Sequence, residues 1–205
     1  MIFEVLAYIT GALIVINGLF IFIFPQRNKT MIFKLVNDVM TALNGIFIYY
    51  VTNNALILVS VGTCTVGIIR DIVFGLREKY KALNHIAWPI AFATINLCSL
   101  FLTYNGFMSV IPVVGTAVSC MTLYFYDQRI TKSGAIFCQT VYVIYFAVLI
   151  GSTGALTIFS LIAAVTTLLG SIIGLIYIFI HKNNVKEEKD VQVSSNNGMI
   201  IKEAK

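Results

Sequence analysis

Seven apolar runs divide the chain, and the connections between them alternate in charge without exception. The runs cover roughly residues 2–24, 31–52, 55–75, 86–104, 107–126, 134–151 and 155–181. A helix needs about 20 apolar residues to cross the hydrocarbon core of a bilayer, so each run is close to or beyond the length of one crossing. Arg27, Lys29 and Lys34 follow the first run, whereas Thr52, Asn53 and Asn54 follow the second. Arg70, Arg77, Lys79 and Lys81 end the third, and Asn105 and Gly106 end the fourth. Arg129 and Lys132 follow the fifth, Ser152, Thr153 and Gly154 follow the sixth, and the remaining lysines lie beyond His181. All 14 Lys and Arg thus fall on one side of a seven-span reading. Short basic loops stay in the cytoplasm, which predicts an outside N-terminus and a cytoplasmic C-terminus.

Composition narrows the class further. Hydrophobic residues make up 59% of the chain and charged residues 11%, against about 25% charged in a soluble domain. The expected partner is therefore the lipid bilayer. The net charge of +5 is read as orienting the spans and meeting anionic headgroups, not as a nucleic-acid interface. Cys64, Cys98, Cys120 and Cys138 sit on four different runs with no Cys-x-x-Cys or Cys/His spacing, so packing is expected of them rather than metal binding. Glu4, the lack of a basic leader and the lack of an Ala-x-Ala site make the first run a permanent helix rather than a cleaved signal. No Walker loop, GxSxG or HExxH motif occurs, and His85 and His181 have no partner at ligand spacing. A non-enzyme without cofactor or metal is expected.

The chain reads as a duplication. Runs one to three and five to seven share the order helix, basic turn, helix, small polar turn, helix. Gly11 aligns with Gly115, Gln26-Arg27 with Gln128-Arg129, and Ala55-Leu56 with Ala155-Leu156. Three helices per repeat is an odd number, so a single linker helix returns the second repeat to the orientation of the first. The predicted fold is an all-α membrane protein with seven transmembrane helices in a 3+1+3 arrangement of two parallel triple-helix repeats. The boundaries are residues 1–81 for the first repeat, 82–106 for the linker helix, 107–181 for the second repeat and 182–205 for a disordered cytoplasmic tail.

Lipid offers no hydrogen bonds, so polar side chains within the runs carry the information. Asn37, Thr41 and Asn44 share one helix face, and Gln139 aligns with Asn37 in the duplication. With Asn17, Thr63, Ser119 and Thr167 they make a candidate solute path; interhelical bonding is the competing reading. Asp38 lies about 10 Å and Arg70 roughly 8 Å from the same interface at about 1.5 Å rise per residue. That match predicts an Asp38–Arg70 ion pair, or Arg70 shared between Asp38 and Asp71, serving as a clasp or a gate. Pro112 is a candidate hinge or a harmless first-turn proline.

The runs Ile111-Pro112-Val113-Val114-Gly115-Thr116 with Ser119, and Gly67-Ile68-Ile69-Arg70-Asp71-Ile72-Val73-Phe74, resemble the bacterial inner-membrane protein family called YgjV. The resemblance covers most of the hydrophobic region and leaves out the tail. It implies a multi-pass protein of the bacterial plasma membrane, with a layout similar to the SWEET, PQ-loop and PnuC-type transporters. Such a layout implies movement of a small polar metabolite by alternating access between two bundles. The chain departs from SWEET-type pockets, which use Asn on the third and seventh helices; Gly67 and Ser171 stand there. The first functional expectation is a facilitator or secondary transporter. The second is a non-transporting interaction or sensor protein acting through its tail. Solute identity, coupling ion and oligomeric state stay open.

Overall fold

The computed structural model describes residues 1–21, 27–77, 79–80 and 83–180. Over these residues the chain forms α1 (Ile2–Ile21), α2 (Arg27–Thr52), α3 (Leu56–Leu76), α4 (Ala87–Thr103), α5 (Val110–Tyr124), α6 (Gln128–Thr153) and α7 (Ile158–Ile180). Short 3-10 turns at Phe107–Ser109 and Gly154–Thr157 lead into α5 and α7. The tail expected to be disordered, with His181 and Pro25, lies outside the described residues.

Five stretches are long and apolar enough to cross a membrane: Ile2–Ile21, Lys29–Thr52, Leu56–Leu76, Phe107–Tyr124 and Gln128–Ile180. The last contains both α6 and α7, and the apolar helix α4 is shorter than the others. Polarity is turned inside out relative to a soluble bundle. Ile9, Leu13 and Ile16 of α1 and Leu169, Ile173 and Ile176 of α7 face outward. Asn44, Thr63, Arg70, Asp71 and Ser119 are buried. An apolar exterior around a polar interior suits a chain surrounded by lipid.

Six helices form a closed ring. α1 packs on α2, α2 on α3, α3 on α5, α5 on α6, α6 on α7, and α7 returns to α1. α4 packs on the seam between α3 and α5, through Phe92 against Phe74 with ring centroids 5.8 Å apart. Asn96 of α4 donates to Cys120 Sγ of α5 across 3.4 Å on the same seam. Small residues bring the backbones together. A Cβ on Gly18 would lie 2.8 Å from Thr167 Oγ1, which fixes the close approach of α1 to α7.

Two boundaries differ from the hydropathy reading for a local reason. α6 begins at Gln128 rather than near residue 134, because Asp127 caps it, accepting the Arg129 amide across 2.9 Å. Its first turns carry Arg129, Thr131 and Lys132, which an apolar window skips but a capped helix accommodates. α2 likewise starts at Arg27, ahead of its apolar run. Pro112 is the third residue of α5. The helix follows directly on the 3-10 turn and continues through the proline to Tyr124.

Candidate functional site: a file of cavities along the ring axis

Three cavities follow one another through the ring. The central one, of about 60 Å³, draws lining residues from α1, α2, α3, α5, α6 and α7. A second, of about 20 Å³, adjoins it toward the basic connections and shares Lys34, Asn37, Ser119, Gln139 and Thr167 with it. A third, of about 10 Å³, lies toward the opposite end and shares Thr41, Phe146 and Ser160. Along α2 the file runs from Lys34 to Ile48. At about 1.5 Å per residue that is roughly 21 Å, most of a hydrocarbon core of about 30 Å.

The two ends of the central cavity differ in chemistry. At the basic end stand four charges. Arg70 is 1% exposed and Asp71 3%; Asp71 Oδ1 accepts from Arg70 Nε at 2.7 Å and lies 2.7 Å from Nη2. Arg70 Nη2 also reaches Asp38 Oδ2 at 3.4 Å. Lys34 Nζ donates to Asp38 Oδ1 and Oδ2 across 3.3 and 3.2 Å, and lies 3.9 Å from Asp71 Oδ2. Two cations and two carboxylates thus cancel within one cluster, which removes the large penalty of an isolated buried charge. Gly67 makes the cluster compact, since a Cβ there would collide with Asp38 Oδ2. At the opposite end Ala7, Ile48, Ile57, Phe146, Leu149 and Leu156 pack into an apolar plug.

Between these ends the walls are neutral and polar. The Tyr142 hydroxyl hydrogen-bonds Thr63 and Thr116, each across 3.0 Å, and so joins α6 to α3 and α5. Cys64 and Cys138 also line the central cavity. Asn37 Oδ1 is buried and has no hydrogen-bond partner among the described residues.

Of the path candidates read from the sequence, Asn37, Thr63, Ser119, Gln139 and Thr167 line the central cavity. Asn17 lines none of the three, because its Nδ2 donates to the Phe33 carbonyl across 2.8 Å and ties α1 to α2. Asn44 faces the smallest cavity but is engaged on every side. Its Nδ2 donates to the Ala7 carbonyl and Thr10 Oγ1 across 2.7 and 3.0 Å, and its Oδ1 accepts from Ser160 across 3.1 Å. Asp38 and Arg70 line the central cavity, whereas Asp71 stands behind Arg70. Lys34 is the member of the cluster that sequence reasoning left among the loop charges. Its spacing of four residues from Asp38 on one helix was the signal for a pair. Trp88, the one tryptophan, stacks on Phe92 of α4 at 6.0 Å.

No family model, no curated protein and no solved structure matches the chain. The resemblance to the YgjV family accordingly rests on its two short motifs.

Proposed function

We propose that the chain is a transporter of small polar solutes, a facilitator or secondary transporter whose path follows the ring axis. The observation that carries this reading is the file of polar-lined cavities inside an otherwise apolar ring. At Asn17 and Asn44 the amides are engaged by neighbouring helices. Asn37 lines two of the cavities with its Oδ1 unbonded; Asn96 Oδ1 in the α4 seam is unbonded too, so it is the place in the lining that supports the path. In this reading all seven helices cross the bilayer as two triple-helix repeats joined by α4. Basic turns hold the charged end in the cytoplasm, and a bacterial inner membrane follows from the YgjV resemblance. The ionic cluster acts as the inner gate and the apolar plug as the outer one. Alternating access then means rocking of the α1–α3 side against the α5–α7 side.

Native thiols supply the test. Cys64 and Cys138 line the central cavity, while Cys120 is buried between Arg70 and Asn96. Protein in lipid vesicles is treated with a membrane-impermeant methanethiosulfonate reagent, and the modified cysteines are mapped by mass spectrometry. Modification of Cys64 or Cys138 with Cys120 spared is expected. Folded protein in which both cavity thiols resist the reagent removes the path. Asp38→Asn addresses the gate: unchanged modification rates at both thiols mean that the cluster is a structural clasp alone.

A further inference from the structure

We propose that the central cavity holds a small, neutral, hydrogen-bonding solute of the amide or polyol class, gripped between the carboxamides of Asn37 and Gln139. The inference rests on the transport reading and names its cargo class.

Position comes first. Asn37 is on α2 and Gln139 on α6, two helices that meet across the ring. Both side chains line the central cavity and the smaller one toward the basic end. Each carboxamide carries an acceptor oxygen and two donor hydrogens. Asn37 Oδ1 is buried with nothing bonded to it, an expensive state for an amide oxygen. A small turn of the carboxamide toward the cavity brings this oxygen to an arriving donor, which completes it. A solute that both donates and accepts matches a pair of carboxamides better than one that only accepts.

Charge comes second. Lys34, Asp38, Arg70 and Asp71 neutralise one another at the basic end. The rest of the polar lining is hydroxyls, thiols and the two carboxamides, from residues such as Thr63, Thr116, Tyr142 and Cys138. An ion entering this space would leave water without meeting a free countercharge, which is unfavourable. A neutral solute enters without that penalty.

Size comes third. The cavity measures about 60 Å³. One water needs about 10–15 Å³ of such space, so roughly four to six water-sized groups fit. That admits urea or glycerol and excludes a hexitol.

Swelling of proteoliposomes under inward solute gradients, followed by light scattering, tests the class. The probes are urea and glycerol as small neutral solutes, glycine as a zwitterion of similar size, and sorbitol as a neutral solute that is too large. Swelling in urea or glycerol several-fold faster than in protein-free vesicles is expected, with no gain for glycine or sorbitol. Asn37→Leu and Gln139→Leu should each abolish the gain. Asn37→Ser, which shortens the reach but keeps a hydroxyl, covers the case in which the leucine variants do not insert, and it should reduce the rate. No gain with urea or glycerol, or a gain with glycine alone, overturns the solute class. Thiol mapping on the same vesicles separates the two failures. If Cys64 or Cys138 is modified, the path stands and only the cargo class falls; if neither is, both fall.

Discussion

The two sides of the ring meet the same cavity with different chemistry. On the α1–α3 side, α2 and α3 present Lys34, Asp38 and Arg70, with Asp71 behind. On the α5–α7 side, every lining residue is uncharged, among them Ser119, Gln139, Tyr142 and Thr167. In the repeat alignment read from the sequence, Asn37 corresponds to Gln139 and Asp38 to Thr140. The strong interactions therefore lie within one side. The four charges bind α2 to α3, and Arg70 touches the other side only through contacts of 3.5 Å to Ser119 and Cys120. Around the cavities, what joins side to side is neutral: Tyr142 to Thr63, Tyr145 to the Leu56 carbonyl, Ser160 to Asn44, and Asn54 to Ser152; beyond them, at the basic end, Arg77 at the end of α3 donates to the Tyr124 carbonyl of α5. The neutral bonds contribute about 0.6 kcal/mol each on average in membrane bundles. A body whose charged cluster lies within one side, and whose bonds across the cavity are neutral, is suited to rocking about the packed α1–α7 and α3–α5 seams.

The largest effect comes from breaking the charged cluster. Arg70→Ala leaves Asp71 buried without its guanidinium partner, and removing one member of a buried ion pair costs about 3–5 kcal/mol. The expected result is a steep drop in melting temperature or in the yield of monodisperse protein. A loss near zero would mean that water reaches the cluster and that the charges are not a clasp. Gly67→Ala is next. Its methyl would collide with Asp38 Oδ2, and overpacking of this sort costs about 1–3 kcal/mol. Thermal unfolding in detergent, compared with Gly62→Ala, where a Cβ meets only a Thr103 methyl at 3.8 Å, checks that the effect is the collision.

Much of this asymmetry was visible in the chain. Equal depths from one interface brought Asp38 and Arg70 together before any contact was known, because rise per residue is fixed in a helix. The polar face of α2 was also legible from its spacing. What spacing could not separate was Asn37 from Asn44. The two share a face, but Asn44 meets the backbone of α1 at Ala7 and the hydroxyl of Ser160, while Asn37 lines the central cavity with its Oδ1 buried and unbonded. That depends on where the neighbouring helices approach, and Gly11, beside both Phe159 and Asn44, sets it from outside α2. Lys34 was hidden by its own sequence context, since a lysine near a helix start reads as a loop charge until its partner carboxylates are in view.

Tyr142→Phe probes the neutral bonds across the cavity. The hydroxyls of Thr63 and Thr116 keep their bonds to the Ser60 and Pro112 carbonyls, so the change orphans neither group. A loss of about 0.5–1.5 kcal/mol is expected, well below that of Arg70→Ala. Modification of Cys64 should speed up at the same time, because the link between α6 and α3 is gone. A loss as large as that of Arg70→Ala would mean that these bonds hold as firmly as the charged cluster.

The smallest effect is expected at the rim. Asn54 of the α2–α3 turn donates to Ser152 Oγ near the end of α6 across 3.0 Å, in an exposed position. Asn54 has a second role, since its Oδ1 accepts the Leu56 amide across 3.0 Å at the start of α3. Asn54→Ala therefore removes a cap along with the link, and Ser152→Ala is the cleaner break. A surface change of that kind shifts stability by no more than about 0.5 kcal/mol. The same energy applied to an equilibrium between closed and open rings changes the open population about twofold, since 1.4 kcal/mol is about tenfold. Melting should thus be almost unmoved while the Cys64 and Cys138 modification rates roughly double. A tenfold rise would show the turns holding the ring shut by more than this one bond. An unchanged rate would show that the rim does not move when the cavity opens, and the comparison would then hold only for the buried part of the two sides.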